Sequence, residues 1–256
     1  MGALVGAERR RPPRVPGRDR QALLHATKPV ASPRHAALPA QASGAPVRVA
    51  VTDDKYGPQA ARWSEEAYAD ADAYLAHRAE LIVSLGPKLQ PGETVLDLAC
   101  GDGGLARFLS GYRYLGVDSS PEMVEAGRRH GRELVVGDLN DYVPSNPVAA
   151  TTCFRAIYYA DDRAAFFRRV GGYTQRKLVF DLNPRQYRVA DIRRELRAAG
   201  FHGFELRPFF ASQRVALPRA VSAALRALEH SGPLARLLLT LRFSYLCAAF
   251  RGGKNS

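Results

Sequence analysis

The strongest constraint on the fold is a series of short apolar runs between residues 94 and 199, most of them followed by a segment of helical periodicity. Such an alternation predicts a parallel sheet with helices on both of its faces. Two further apolar runs follow near the C-terminus. The predicted strands cover residues 94–99, 114–117, 133–136, 149–154, 178–182, 204–210 and 243–250. The sequence therefore predicts one α/β domain with a doubly wound, mostly parallel sheet of seven strands.

Helical segments are predicted on both sides of this pattern. Apolar positions recur at helical spacing over residues 63–85, where Ser64 suits the N-terminus and Gly86 and Pro87 stop the helix. Residues 217–241, between the last two strands, predict a helical insert with an apolar face. Its preferred role is the roof of a substrate pocket. An amphipathic contact with a membrane surface is the alternative.

The positive charge is concentrated at the N-terminus. Residues 1–50 hold nine Arg or Lys against two acids, which is +7 of the formal +12. This stretch of Ala, Pro, Arg and Gly lacks the periodicity needed to bury a core. We predict a disordered basic tail over residues 1–50 and a folded domain over residues 51–256. The alternative for residues 1–46 is an over-extended translation, in which case they do not belong to the native protein. The remainder of the chain is only mildly basic, which argues against nucleic acid as a partner.

The cysteine content and the hydropathy of the sequence indicate the cellular compartment of the protein. Cys100, Cys153 and Cys247 are odd in number and far apart, which argues against a disulfide framework and against a cysteine-built metal site. Apolar runs of 18 or more residues, which a membrane span requires, do not occur in the sequence. These features indicate a cytoplasmic location. The oligomeric state is not encoded in any pattern we identify.

The stretch "LDLACGDGGLARFL", residues 96–109, places a turn almost free of side-chain bulk between a strand and a helix. Gly101, Gly103 and Gly104 allow the backbone to approach a ligand closely. The following helix directs free N–H groups and its positive dipole end at that ligand, so an anionic group is expected there. Taken alone, this loop also fits the G-x-G-x-x-A pattern of dinucleotide sites.

Acidic residues follow or end three successive strands. Asp97 lies inside the strand before the loop, where a carboxylate can accept a hydrogen bond from an ammonium or stabilise the loop. Asp118 lies about 20 residues further on, the spacing at which an acid meets ribose hydroxyls. It can instead cap the next helix, with Ser119 and Ser120 as rivals. Asp138 follows the third strand, where it can accept from an exocyclic amine or serve a turn.

These features together resemble the class I methyltransferases that use S-adenosylmethionine. "VLDLACGDG" resembles their first motif, "YLGVDSSPEMVEAGR" their second-strand acid and helix, and "LVVGDLND" their adenine-side turn. The resemblance implies a Rossmann-like fold with the methionine part at the glycine loop, the ribose at Asp118 and the adenine amine at Asp138. The residues it implies for cofactor binding are Asp97, Ala99, Cys100, Gly101, Gly103, Asp118, Ser119, Met123, Asp138, Leu139, Phe154 and Arg155.

The segment expected to lie beside the methyl acceptor is "TTCFRAIYYADD", at and after the fourth strand. It resembles the corresponding segment of the family only in outline. This match offers Tyr158, Tyr159 and Asp161 as catalytic candidates, although the tyrosines can equally pack at a helix start. His77 and His230 border the expected pocket, but histidines more often lie at the surface or in packed positions.

Two further groups are weighed in the same way. Tyr68, Tyr74 or Arg78 could reach the cofactor carboxylate, although a helical arginine is more often exposed. No metal site is predicted, because Asp181 and Asn183 are better explained by a turn.

The resemblance implies transfer of a methyl group by in-line displacement, in which the protein mainly aligns and desolvates the reactants. The expected acceptor is a small molecule of largely apolar or aromatic character. One alternative is a regulatory module that binds S-adenosylmethionine without chemistry. A nicotinamide-dependent oxidoreductase is disfavoured by Asp97 and Asp138. A nucleic-acid methyltransferase is disfavoured because an Asn-Pro-Pro-aromatic element does not follow the fourth strand.

Overall fold

The computed structural model describes residue 63 and residues 67–183, 185–210, 215–232, 234–235, 237 and 245–252. Contacts divide the chain into two compact units, Met1–Val49 and Ala50–Ser256, and every described residue belongs to the second. The predicted basic tail lies outside the described residues, so it and the domain boundary stay predictions. Within the described part of the chain, no helix is long and apolar enough to cross a bilayer.

The described strands form one sheet of seven. They are β1 (Thr94–Leu98), β2 (Arg113–Asp118), β3 (Leu134–Val136), β4 (Val148–Cys153), β5 (Thr174–Leu182), β6 (Gly203–Pro208) and β7 (Tyr245–Phe250). Their spatial order is β3-β2-β1-β4-β5-β7-β6. Strands β1 to β5 pair in parallel, whereas β7 runs antiparallel to both β5 and β6. The predicted mostly parallel α/β sheet is confirmed.

The strand order reverses beside β1, since β2 lies on one side of it and β4 on the other. In open α/β sheets, ligands bind in the crevice outside the carboxyl ends of the strands at such a reversal. The glycine loop follows the carboxyl end of β1. The topology therefore puts the loop at the expected ligand position.

Five α-helices with known bounds lie in the described residues. They are α1 (Ala71–Ser84), α2 (Pro121–Arg129), α3 (Arg163–Tyr173), α4 (Val189–Ala198) and α5 (Arg219–Glu229). Short 3₁₀ turns cover Gly104–Phe108 and Ile157–Tyr159. The segment after the glycine loop, expected to be an α-helix, is thus a 3₁₀ turn.

The first helix begins later than expected. Our prediction of one continuous helix over residues 63–85 is wrong, because residues 67–70 are not helical and the side chain of Asp70 caps α1 by accepting from the Ala73 N–H at 3.0 Å. A carboxylate at this position satisfies one of the free N–H groups of the first turn. The alternative cap, Ser64, lies outside the described residues.

Helix α1 is tied to the sheet by a buried lysine. Lys177 of β5 donates through Nζ to the carbonyls of Val83 at 3.0 Å and Leu85 at 2.7 Å, at the end of the helix. Burial lowers the pKa of Lys177 to about 7. The helix also buries Leu81 and Ile82 against the sheet face that carries Val95 and Val179. Helix α1 is therefore held firmly over the strands that carry the candidate site.

Candidate cofactor and acceptor site

The loop after β1 turns through the left-handed region of backbone space. Its φ angles are 55° at Ala99, 61° at Gly101 and 70° at Gly103, and only Ala99 pays the steric cost of a side chain there. A Cβ atom on Gly103 would lie 2.8 Å from Leu134 Cδ2. The loop therefore packs tightly against β3 on one side and requires glycine at this position.

An ion pair that we did not predict fixes the same loop. The Asp102 carboxylate accepts from the Gly104 N–H at 3.1 Å, and its other oxygen lies 3.1 Å from Arg132 Nη1. Arg132 also donates to the Asp102 carbonyl at 2.6 Å. Both side chains are nearly buried, which makes such a pair geometrically specific. The two residues are 30 positions apart, so local sequence offers little signal for the contact.

Asp97 is a buried carboxylate with two hydroxyl partners. Its oxygens accept from Tyr114 OH at 2.8 Å and from Thr152 Oγ1 at 2.6 Å. Burial raises the pKa of Asp97 to about 6, while the two hydrogen bonds and the positive charge of Arg78 act in the opposite direction. Asp97 is therefore mainly ionised at neutral pH and can accept from a cation.

Arg78 is the buried cation beside this carboxylate. It is only 4% exposed, so the expectation of an exposed helical arginine is wrong here. Its guanidinium carbon lies 4.1 Å from the ring centre of Phe154 and 4.7 Å from that of Tyr74. Nη2 donates to Tyr74 OH at 2.6 Å, whereas the buried Nε has no hydrogen-bond partner. A buried cation with a free donor favours an anionic ligand group.

Asp118 lies at the end of β2 and joins two backbone segments. It accepts from the Gly101 N–H at 2.7 Å and from the Ser120 N–H at 3.0 Å. Burial raises its pKa. Ser120 is the residue that caps α2, since its Oγ accepts from the Met123 N–H at 3.3 Å. The helix-cap alternative for Asp118 is therefore wrong. Each carboxylate oxygen keeps a further lone pair for a ligand hydroxyl.

Trp63, the chain's single tryptophan, is a site neighbour that sequence reasoning missed. A Cβ atom on Gly101 would lie 3.0 Å from Trp63 Cδ1. The indole also packs against Met123 and Ala126 of α2. Met123 is buried and Ser119, between β2 and α2, is exposed. Trp63 therefore lies directly on the glycine loop.

The loop after β3 is connected to the loop after β4. Asp138 accepts through Oδ1 from the Asn140 N–H at 2.8 Å and from Asn140 Nδ2 at 3.0 Å. Asn140 also donates to the Tyr159 carbonyl at 3.1 Å and accepts from the Asp161 N–H at 2.9 Å. Leu139 beside it is buried. The sequence motifs did not reveal Asn140. Its hydrogen bonds join the loop of Asp138, which is predicted to bind adenine, to the predicted catalytic segment.

Residues after β4 divide into a buried and an exposed part. Phe154 is buried beneath Arg78, and Arg155 has a φ of 55° with its N–H donating to Asp181 Oδ1 at 2.6 Å. Asn183 likewise accepts from a backbone N–H, that of Arg185 at 3.0 Å. Asp181 and Asn183 therefore serve the loops after β4 and β5.

The three catalytic candidates lie at the surface. Tyr158 and Tyr159 are 50% and 53% exposed, with ring centres 4.4 Å apart, and Asp161 is exposed beside them. The tyrosine rings are therefore not packed into the core. They lie after the carboxyl end of β4. Cys100 is half-buried at the loop, and burial raises the pKa of its thiol well above the usual range.

A small cavity of about 50 Å³ lies between α1 and α5. Its walls are formed by Asp70, Ala73, Tyr74, His77, Phe210, Val215, Leu217, Ser222, Leu225, Arg226 and Glu229. The first helix and the insert therefore border one cavity, as the pocket hypothesis expects. Tyr158, Tyr159 and His230 are not among its lining residues.

A buried pair joins the two helices across this cavity. His77 Nε2 lies 2.7 Å from Glu229 Oε2, and Glu229 Oε1 accepts from the Phe210 N–H at 2.5 Å. His77 also stacks on Phe209 with ring centres 5.2 Å apart. This arrangement fits a packed histidine. The partners are 152 residues apart, which is why sequence patterns did not reveal the pair.

A reversed-order α/β sheet with a left-handed glycine loop after β1 and acids at the next strand ends is the arrangement of the class I methyltransferases. Residues 95–176 match a family described as "Methyltransferase domain". This part of the chain is therefore similar to a methyltransferase domain, in agreement with the resemblance to the class I S-adenosylmethionine-dependent methyltransferases.

Curated relatives agree with this family. The chain is 34% identical over 106 residues to trans-aconitate 2-methyltransferase of Mycobacterium tuberculosis, a match that covers 37% of this chain and 40% of the relative. The protein of the same name from Mycobacterium marinum is 32% identical over an equal length. The match thus spans two fifths of the length of these relatives.

Solved structures share the fold at low identity. A chain of the complex between the Haloferax volcanii Trm112 methyltransferase activator and a methyltransferase has a TM-score of 0.56 and 22% identity, covering 79% of this chain and 98% of that one. Magnesium protoporphyrin IX methyltransferase from Synechocystis, solved with S-adenosylhomocysteine, has a TM-score of 0.51 and 16% identity, covering 71% and 83%. These likenesses support the Rossmann-like architecture.

Proposed function

We propose that this protein transfers a methyl group from S-adenosylmethionine to a small-molecule acceptor. The observation that carries the proposal is the Asp97 carboxylate, buried at the carboxyl end of β1 and held by the hydroxyls of Tyr114 and Thr152. A dinucleotide site has no use for an anion at this position, whereas a ligand ammonium does. The left-handed loop beside it leaves space for a nucleoside-bearing ligand.

The donor set fits the chemistry of this cofactor at both of its ends. Asp97 accepts from the ammonium, and the buried Arg78, with its free Nε donor, binds the carboxylate. Asp118 accepts from the ribose hydroxyls, and Asp138 accepts from the adenine amine. Met123 and Leu139 provide apolar contacts for the adenine ring.

When bound, the cofactor supplies an already activated methyl group on a sulfonium. The chain's own residues therefore have to orient the two reactants and exclude water. The pair of Asp102 and Arg132 keeps the loop rigid, and Asn140 fixes the segment of Tyr158, Tyr159 and Asp161 beside it. The exposed side chains of that segment, which lie outside the cavity between α1 and α5, stay candidates for accepting the acceptor's proton.

The cavity between α1 and α5 is the proposed acceptor pocket. Its walls combine Tyr74, Phe210, Leu217 and Leu225 with a few polar groups, as in sites for small organic ligands. The acidic and basic side chains in the walls occur in comparable number, so a largely apolar or aromatic acceptor fits better than a polyanion. The names of the related trans-aconitate and magnesium protoporphyrin enzymes support a small-molecule acceptor.

The predicted cytoplasmic location stays part of the proposal. Cys153 and Cys247 are buried free thiols, and the described cysteines form no disulfide. Free thiols are typical of a reducing compartment.

The test is incubation of metabolite extracts with the protein and methyl-labelled S-adenosylmethionine, followed by mass spectrometry. We expect a labelled small molecule whose formation falls in Leu225→Ser, because Leu225 lines the pocket, while affinity for S-adenosylhomocysteine is kept. Val143→Ser is the matched control, since Val143 is 59% exposed in the loop before β4 and should not affect turnover.

Two outcomes would contradict the proposal. Tight cofactor binding without labelled product from any extract would favour the regulatory alternative. A labelled nucleic acid would refute the small-molecule acceptor. Equal turnover in Leu225→Ser and wild type would refute the assignment of the pocket alone.

A further inference from the structure

Helix α5 has an apolar face on its solvent side. Its inward face, which lines the cavity, consists of Ser222, Leu225, Arg226 and Glu229. The opposite side exposes Ala220, Val221, Ala223, Ala224 and Ala227. A surface helix of a globular protein normally has the reverse arrangement, with charged residues outward. The outward face of α5 therefore calls for a covering partner. This inference is independent of the proposed function.

The neighbouring chain extends this apolar character. Among the described residues, Val215 is 61% exposed, Val221 44%, Leu234 46% and Leu237 64%. Half of the most exposed large apolar side chains described thus fall between residues 215 and 237. Such clustering marks an interaction surface, whereas single exposed apolar residues are ordinary.

The positive charge of this region indicates which kind of partner fits the outward face of α5. Residues 211–244 contain five arginines and a single acid, Glu229. That acid is buried against His77, so it offers no negative charge to a partner. Arg219 is exposed at the start of α5, whereas Arg226 belongs to the inward face and lies 4.0 Å from Glu80. An apolar face with an exposed cation beside it matches helices that lie in the headgroup region of anionic membranes. A second copy of this chain would bring like charges together.

We propose that the outward face of α5 docks on an anionic lipid surface. Val221 and the small alanines enter the headgroup boundary, and Arg219 pairs with lipid phosphates. An arginine near such a surface adds only modestly to the affinity, so both the apolar residues and the charges are required for stable binding.

The test is co-sedimentation of the full chain with vesicles. We expect binding to phosphatidylcholine vesicles that contain phosphatidylglycerol, and little binding to pure phosphatidylcholine vesicles. Val221→Glu and Arg219→Gln should each lower the bound fraction several-fold. The matched controls, Val143→Glu and Arg129→Gln, change exposed residues elsewhere, at 59% exposure in both cases, and should bind as wild type. Melting temperatures verify that all variants fold.

The basic tail needs its own comparison, because residues 1–50 carry +7 of charge and can attract anionic lipid alone. A variant lacking residues 1–46 should keep its sensitivity to Val221→Glu. Binding that is lost on truncation and unaffected by Val221→Glu would overturn the proposal. So would absence of binding to anionic vesicles, or a dimer that Val221→Glu dissociates without any vesicle binding.

Discussion

The protonation of Asp97 should control cofactor affinity. The carboxylate can pair with a ligand ammonium only when ionised, and its pKa is raised to about 6 by burial. Lowering the pH through this value should therefore weaken binding of S-adenosylhomocysteine. The partners Tyr114 and Thr152 keep the side chain in place in either protonation state.

The magnitude follows from the pKa. At about pH 5, one unit below the pKa, only about a tenth of the Asp97 side chains are ionised, so affinity should be about tenfold weaker than at neutral pH. Asp97→Asn removes the charge at every pH. A bond to a charged group contributes roughly 1.5–3 kcal/mol, which corresponds to about 10- to 150-fold in affinity.

Because its pKa is raised by burial, ionised Asp97 lowers the free energy of unfolding at neutral pH. Its pKa is higher in the folded chain than its ordinary 3.8, so the folded state binds more protons between about pH 3.8 and 6. Stability therefore falls as pH rises through this window, by up to about 3 kcal/mol. Asp97→Asn should remove the penalty and raise the free energy of unfolding at neutral pH.

Calorimetric titration with S-adenosylhomocysteine across this pH range, on wild type and Asp97→Asn, checks the argument. We expect a tenfold loss in wild type and a flat profile in the variant, with urea unfolding showing the variant more stable at neutral pH. Equal pH slopes in the two proteins would refute the assigned role of Asp97. So would a wild-type affinity that does not change with pH.

Two further predictions concern packing and a second buried charge. Gly116→Ala should destabilise the fold by about 1–3 kcal/mol in urea unfolding, because its Cβ would lie 2.3 Å from Leu134 Cδ2 and 2.7 Å from Cys100 Sγ. An unchanged unfolding midpoint would show that the contact relaxes freely. For Lys177, the folded pKa of about 7 lies below its ordinary 10.5, so the unfolded chain binds more protons between these values and stability should rise with pH. Lys177→Met should flatten that rise between about pH 7 and pH 9, and an equal slope in variant and wild type would contradict the role of Lys177.

The sequence predicted what local patterns encode. Alternating apolar runs predicted the strands, and the small residues around Gly101 and Gly103 predicted the turn that the φ angles show. The strand-end acids Asp97, Asp118 and Asp138 were found in the same way, because parallel strands bring their carboxyl ends to one edge. Their roles as cofactor ligands stay predictions.

What the sequence did not predict depends on contacts between distant residues. Arg78 has the pattern of an exposed helical arginine, and only the packing of Phe154 and Tyr74 makes it a buried cation. The pairs of Asp102 with Arg132 and of His77 with Glu229 join separate elements. The late start of α1 has a different, local cause, because several polar residues before it were suitable caps and Asp70 is the one that accepts from the Ala73 N–H.

Calorimetric titration with S-adenosylhomocysteine and with NAD tests most directly whether the loop and its acids form a site for S-adenosylmethionine. We expect S-adenosylhomocysteine to bind and NAD not to bind. Asp118→Ala should weaken binding by roughly 1.5–3 kcal/mol through loss of the ribose hydrogen bonds, while the exposed Asp141→Ala control binds normally. Tighter binding of NAD than of S-adenosylhomocysteine, or unchanged affinity in Asp118→Ala, would contradict the account.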